Sequence, residues 1–237
     1  MSEESEFHLA LYEPPYAPLT DWFDVVYVIN CQHRPDRREQ VVAELEKYAD
    51  MDKVVIYDAI IGDFTGHPAG WGAGKGAWGC LQSHRRIMED LMHMRDERGA
   101  LSWESALFLE DDVFFLENAM ADLEIFLEEV PDDWGQIYLG GQHRRKVSTT
   151  GSPNVVIGNS VNRTHAYALH KDYIHAVYQH VSYMQDYTGT NKHIDHQLEL
   201  AHNRRDWPVY CPSKWICGQR AGSSNISGRV NGDQTWM

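Results

Sequence analysis

The chain predicts an α/β fold with a mostly parallel central sheet flanked by helices, and three observations carry that prediction. Short β-branched or apolar runs recur along it, stretches with apolar residues at helical spacing separate them, and Gly, Pro and Ser clusters mark the joins. Strand, helix, strand order normally builds a parallel sheet with a right-handed crossover.

The run Val25-Val26-Tyr27-Val28-Ile29-Asn30, entered from Asp24, reads as the first central strand. Pro35 suits the first turn of a helix, in which Val41, Val42, Leu45 and Tyr48 recur at helical spacing. Val54-Val55-Ile56-Tyr57 is the second strand. Six glycines between Gly62 and Gly76, with Trp71 among them, predict a mobile loop. A helical stripe of Ala77, Leu81, His84, Met88 and Leu91 follows, ending near Gly99. Ala106-Leu107-Phe108-Leu109 is a buried strand, and a helix over roughly Glu117 to Glu129 is stopped by Pro131. Ile137-Tyr138-Leu139 is a strand ending in Gly140-Gly141, residues 142–163 a polar loop or hairpin, and Ala166 to Leu169 a strand. Asp172 to Met184 and His193 to His202 read as helices, and the chain after Tyr210 as a closing tail. Residues 1–22 form an extended lead-in and 23–237 a single domain.

Composition bounds the function classes. Charged residues at 24% and hydrophobic ones at 43% are ordinary for a globular protein. No apolar stretch approaches the ~20 residues of a transmembrane helix. The acidic start Met1-Ser2-Glu3-Glu4-Ser5-Glu6 is unlike a signal peptide, so a cytoplasmic location is expected, with no integral membrane segment. Cys31, Cys80, Cys211 and Cys217 form no C-x-x-C pair and are expected to be reduced and mostly buried. A formal net charge of −14 disfavours nucleic acid as a partner, yet Arg34, Arg37 and Arg38, and His143-Arg144-Arg145-Lys146, leave room for a local anion site.

The acids Glu110-Asp111-Asp112 close the apolar run and precede Val113-Phe114-Phe115. Adjacent carboxylates at a core edge repel and lose solvation, and a hard divalent cation relieves both costs. A solvated acidic turn is the plainer alternative. Gly74-Lys75-Gly76-Ala77-Trp78-Gly79 fits G-x-G-x-x-G but follows a loop rather than a strand, so a nicotinamide oxidoreductase is a poor reading. It also fails as a phosphate-binding P-loop. On spacing alone His84 is a core histidine. On a helix His193 and His196 lie one turn apart with Asp195 pointing elsewhere, as a metal site, a base or a solvated face. Zinc-hydrolase, deaminase and serine-hydrolase signatures are absent.

Taken together, several pieces resemble glycosyltransferase family 25. They are Val28-Ile29-Asn30 with Arg34-Pro35-Asp36-Arg37-Arg38, Gly76-Ala77-Trp78-Gly79-Cys80-Leu81-Gln82-Ser83-His84, Leu109-Glu110-Asp111-Asp112-Val113, and Ile137-Tyr138-Leu139-Gly140. Thr164-His165-Ala166-Tyr167, Asp195 with Leu198, and Gln219 with Ser223-Ser224-Asn225-Ile226 follow in order, so the resemblance spans nearly the whole chain. That family includes bacterial lipopolysaccharide galactosyltransferases and collagen hydroxylysine galactosyltransferases.

The resemblance implies a GT-A type α/β fold and an inverting hexosyltransferase. A UDP-sugar would donate galactose or glucose to a hydroxyl of a saccharide or glycolipid. Glu110-Asp111-Asp112 then plays the part of a DxD motif that binds Mn²⁺ or Mg²⁺. Asp112, with Glu110 and His196, would ligate the metal, and Asn30, Arg34, Arg37, Gly79, Glu110 and Asp111 would face the donor. His84 would lie near the donor, and Asp195 is the expected base, unless it completes the metal shell instead. Residues 142–163 match no piece of the pattern, which leaves the acceptor open. A hydroxylated protein side chain or, in a viral setting, a hydroxymethylated nucleobase are alternatives, as is a catalytically silent sugar-nucleotide or carbohydrate-binding module.

Overall fold

A computed structural model describes residues 16–68, 70–183, 193–223 and 230–236. In chain order the helices are α1 (Leu19–Trp22), α2 (Pro35–Leu45), α3 (Gly62–Thr65), α4 (Lys75–His93), α5 (Ala119–Glu129), α6 (Ile174–Ser182) and α7 (Ile194–Arg204). The strands are β1 (Val25–Asn30), β2 (Val54–Asp58), β3 (Ser105–Glu110), β4 (Val113–Phe115), β5 (Gln136–His143) and β6 (Ser148–Thr149). They continue with β7 (Val155–Ile157), β8 (Val161–His170), β9 (Val209–Pro212), β10 (Cys217–Gln219), β11 (Gly222–Ser223) and β12 (Val230–Asn231).

An eight-stranded sheet in the order β2-β1-β3-β8-β5-β9-β7-β6 forms the centre. The pairings make β2, β1, β3, β5, β9 and β6 point one way and only β8 and β7 the other. The predicted class, α/β with a mostly parallel sheet flanked by helices, holds. Both faces are covered, which is why the central strands read as unbroken apolar runs. Val25, Tyr27 and Ile29 of β1 join Ala106 and Phe108 of β3 in a core with Leu81, Met88 and Leu91 of α4. The alternate residues Val26, Val28, Leu107 and Leu109 pack with Val41 and Leu45 of α2 and Leu123 and Phe126 of α5.

Parallel strands place their carboxyl ends on one edge. Asn30 and Asp58 are paired at the ends of β1 and β2, and Glu110 sits opposite Ile29. Strand β8 enters from that edge, with Ala166 opposite Leu109, so its first residues stand beside the acidic end of β3. Lys75, at the start of α4, and Asp195, in the first turn of α7, open on the same edge.

Several local expectations are revised. The glycine-rich segment is not wholly mobile: it contains α3, and Trp71 is buried, donates to the Gly74 carbonyl at 2.8 Å and meets Trp78 edge-on. The polar segment 142–163 contributes the end of β5, the antiparallel pair of β6 with β7, and the start of β8. The chain after Tyr210 is more than a tail, because β10 pairs antiparallel with β4. Helix α4 ends at His93, short of Gly99. Helix α1 lies in the lead-in, with Leu19 fully buried, and residues 1–15 are outside the described residues. Of the four cysteines, Cys211 and Cys217 are buried and Cys31 and Cys80 half-buried. No helix among the described residues is long and apolar enough to cross a membrane.

Candidate active site

A cleft of about 720 Å³ opens at the carboxyl edge of the sheet. Its floor is the acidic cluster, and the three carboxylates have different neighbours. Asp111 is 5% exposed and takes hydrogen bonds from Asn30 Nδ2 and Arg37 Nη1, both at 2.8 Å. Asp112 takes Arg37 Nη1 and Gln219 Nε2, each at 3.1 Å, while its Oδ1 is buried with no hydrogen-bond partner among the described residues. Glu110 accepts from Thr164 Oγ1 at 2.7 Å and lies 3.8 Å from His84 Nε2.

These surroundings set the acids apart electrostatically. Burial, and then the charges of Glu110 and Asp111, push Asp112 up to about 7 against the pull of Arg37. Burial alone would raise Glu110 too, but the His84 and Thr164 contacts outweigh it and hold it below the usual carboxylate range. The surroundings thus favour the neutral form of one acid of the cluster and the ionised form of its neighbour.

His84 is a core histidine that also reaches the cleft. Its ring is fully buried, stacked near Phe108 and Tyr167, with Nδ1 2.9 Å from the Tyr167 hydroxyl. It nonetheless lines the cleft. Ser83, one residue earlier, ties α4 down: its Oγ accepts from the Ile60 N–H and donates to the Gly79 carbonyl, both at 2.8 Å.

Of the residues singled out in the sequence, Arg37, His84, Glu110, Asp111, Asp112, Asp195 and His196 line the cleft. Asn30 stands directly behind, bonded to Asp111. His193 caps α7 and its ring meets that of His196 at 5.4 Å, as one-turn spacing requires. Asp195 does not point elsewhere, because the helix meets the cleft end-on and its whole first turn is presented. Glu110, Asp112 and His196 share the cleft without forming one tight set of ligand atoms. Arg34 and Gly79 are not among the lining residues. The Arg34 fork holds Asp36 at 2.9 and 2.7 Å, and Gly79 lets α4 approach the Ile60 carbonyl, where a Cβ would lie 2.3 Å away.

Other lining residues were given no individual role in the sequence. Lys75 and Gly76 come from the start of α4, Asn162 and Arg163 from β8, Gln219 and Arg220 from the end of β10, and Trp236 from the last described stretch. Arg163 adopts φ +79°, and its guanidinium lies 4.7 Å from the Trp236 ring. Thr164 and Gln219 were visible only as pieces of a family pattern, since their partners lie 54 and 107 residues away.

No family model matches the chain. It is 31% identical over 179 residues to the human protein named inactive glycosyltransferase 25 family member 3, covering 66% of this chain and 29% of that one. It is 30% identical over 140 residues to the procollagen lysyl hydroxylase and glycosyltransferase of Acanthamoeba polyphaga mimivirus, covering 52% and 15%. The chain therefore spans less than a third of the curated relatives it matches. Among solved structures, a glycosyltransferase involved in glycosylation of the PBCV-1 major capsid aligns over 71% of this chain and 70% of that one, at 11% identity and a TM-score of 0.40. The chain is a relative of glycosyltransferase family 25, matched along 66% of its own length.

Proposed function

We propose that the cleft binds a nucleotide sugar and that the protein is an inverting glycosyltransferase, moving a hexose from a UDP-sugar to a hydroxyl of a saccharide or glycolipid. The observation that carries this reading is the placement of Glu110-Asp111-Asp112 as the floor of the cleft at the carboxyl edge of a parallel sheet, where open α/β sheets bind their ligands. The relatives named glycosyltransferases support it.

The residues fit a hard divalent cation. Asp112 Oδ1 is a buried carboxylate oxygen with no hydrogen-bond partner among the described residues, beside two further acids and lining the cleft. Mn²⁺ or Mg²⁺, held by Asp112 with the neighbouring acids, would neutralise charge that develops on the departing diphosphate, with His196 across the same cleft. Lys75, Arg144, Arg163 and Arg220 bring positive charge to the same cleft, and the start of α4 adds its N–H groups, so an anionic donor is met from several sides. Arg37 and Asn30 hold Asp111 in place. Asp195 is the side chain proposed to take the proton of the attacking hydroxyl, since inversion needs a single base and Asp195 faces the cleft from the wall formed by α7.

A second reading has its own support, because the first relatives are named inactive. In it the cleft binds a sugar nucleotide or carbohydrate without transfer. The acceptor of the active reading also has a variant, a hydroxylated protein side chain, supported by the name of the viral relative. Metal-dependent release of UDP from a panel of UDP-sugars separates transferase from binder. The expected result is slow release by the wild type, none with excess chelator and none from Asp112→Asn. Full activity in that variant would overturn the assignment of the acids. Binding of UDP-sugars without any release would favour the silent module.

A further inference from the structure

Cys80 and His84 are four residues apart on α4, so their side chains stack on one face of the helix, and both line the cleft. Glu110 reaches the same point from the end of β3. The Cys80 Sγ, a His84 ring nitrogen and a Glu110 carboxylate oxygen all lie within 4.8 Å of one another. His84 is 0% exposed, yet its Nε2 has no hydrogen-bond partner among the described residues. Glu110 Oε1 lies 3.8 Å from it, beyond hydrogen-bond reach. Two such ligands of one tetrahedral zinc stand about 3.3–3.5 Å apart, so a small inward shift of the Glu110 side chain brings this pair to ligand spacing.

We infer that Cys80, His84 and Glu110 form a transition-metal site of the zinc class on the wall of the cleft, separate in chemistry from the hard-cation position at Asp112. The donor set is the first reason. Sulfur and imidazole nitrogen with one carboxylate oxygen suit Zn²⁺ or Co²⁺, whereas Mg²⁺ and Mn²⁺ favour oxygen throughout. The number of ligands is the second. Three protein ligands leave a fourth position, and since all three residues line the cleft, water or a ligand oxygen can take it. The outer contacts are the third. His84 Nδ1 meets the Tyr167 hydroxyl at 2.9 Å, and when Nδ1–H donates there, Nε2 offers its lone pair. Thr164 donates to Glu110 at 2.7 Å and steadies the carboxylate. On binding, the Cys80 thiol gives its proton to solvent, and thiolate and carboxylate together balance the charge of the dication. Glu110 is common to both metal positions, but this site stands whether or not the cleft binds a sugar nucleotide.

The test uses the full chain, freed of metal with chelator and titrated with Co²⁺. The thiolate-to-cobalt charge-transfer absorption in the near ultraviolet is expected to saturate at one equivalent. Cys80→Ser should abolish that band and weaken Co²⁺ binding by more than about tenfold. Cys31→Ser and Asp112→Asn should keep it. Absence of the band in the wild type, its survival in Cys80→Ser, or its loss in Cys31→Ser would overturn the inference. Should Cys80→Ser fail to fold, the wild type decides. Saturating Zn²⁺ is expected to slow alkylation of Cys80 by iodoacetamide, mapped by mass spectrometry, with Cys31 unaffected. Equal Cys80 rates with and without Zn²⁺ would refute the site.

Discussion

Arg37 Nη1 lies 3.1 Å from Asp112 Oδ2 across 75 residues of sequence, and both residues are only 8% exposed. The same nitrogen also holds Asp111 at 2.8 Å, so one guanidinium on α2 serves two buried carboxylates. Removing one partner of such a group leaves charge buried without compensation, which typically costs about 3–5 kcal/mol. Arg37→Ala is expected to lose stability in that range by urea unfolding at neutral pH, and Arg37→Lys to recover part of it. An unchanged unfolding midpoint in the alanine variant would show that the guanidinium does not hold the cluster.

Gly79 marks a close approach of α4 to the segment after β2. A Cβ there would stand 2.3 Å from the Ile60 carbonyl oxygen and 2.9 Å from the Gly62 nitrogen. Both contacts are backbone, so neither yields by a rotamer change. Gly79→Ala is expected to destabilise by about 1–3 kcal/mol, as overpacking does. It should also displace Lys75 and Cys80 in the cleft wall without touching a ligand itself. A thermal melt matching the wild type would contradict this.

His202 gives a signed pH dependence. Burial, with His180 nearby, lowers it to about 3, and its neutral form is built in: Nε2 meets Gln136 Oε1 at 3.0 Å while Nδ1 accepts from the Val161 N–H at 3.3 Å. In the unfolded chain a histidine protonates near pH ~6.5, and in the folded protein this one stays neutral until about 3. Its effect is therefore nil above the unfolded value, and stability is lost as pH falls from there. The slope is about 1.4 kcal/mol per pH unit. Unfolding curves at pH 7.5 and 5 should differ by about 2 kcal/mol more in the wild type than in His202→Gln. Equal differences would mean that the histidine charges freely in the folded state.

Arg163 sets a backbone cost against a side-chain contact. Its φ of +79° is a left-handed conformation that costs an L-residue roughly 1–2 kcal/mol, while stacking on Trp236 returns about 0.5–1 kcal/mol. Arg163→Gly relieves the first and loses the second, so its melting temperature should stay near that of the wild type. Arg163→Ala keeps the strain and loses the contact, and should melt lower than the glycine variant. The reverse order would show that the start of β8 tolerates this φ without strain.

The parts of the fold that were legible in the sequence are those decided locally. Val25 to Asn30, Val54 to Tyr57 and Ala106 to Leu109 announce buried strands, and Pro35 and Pro131 mark a helix start and a helix end. The acidic end of β3 could be read for the same reason, as charge placed directly against a core. The start of β8 could not. Val161 to His165 is mostly polar, yet Asn162 and Thr164 are buried, because Asn162 pairs with β5 and meets Glu199 and Thr164 meets Glu110 from distant segments. Gln219 was hidden likewise, brought to Asp112 only when β10 pairs with β4. Spacing reported the rings of His193 and His196 well, but it could not show that their helix ends at a cleft.

Strand β8 fills the place between β3 and β5 and runs against both. During synthesis β3 leaves the ribosome about fifty residues ahead of it, with one edge unpaired and its acids uncovered. Strand β5 is made earlier than β8 but cannot close that edge, since it reaches β3 only through β8. The nascent chain thus carries an open apolar strand edge for the whole interval, and an edge of that kind invites pairing with other chains. Negative charge at its tip opposes such pairing until the missing strand arrives.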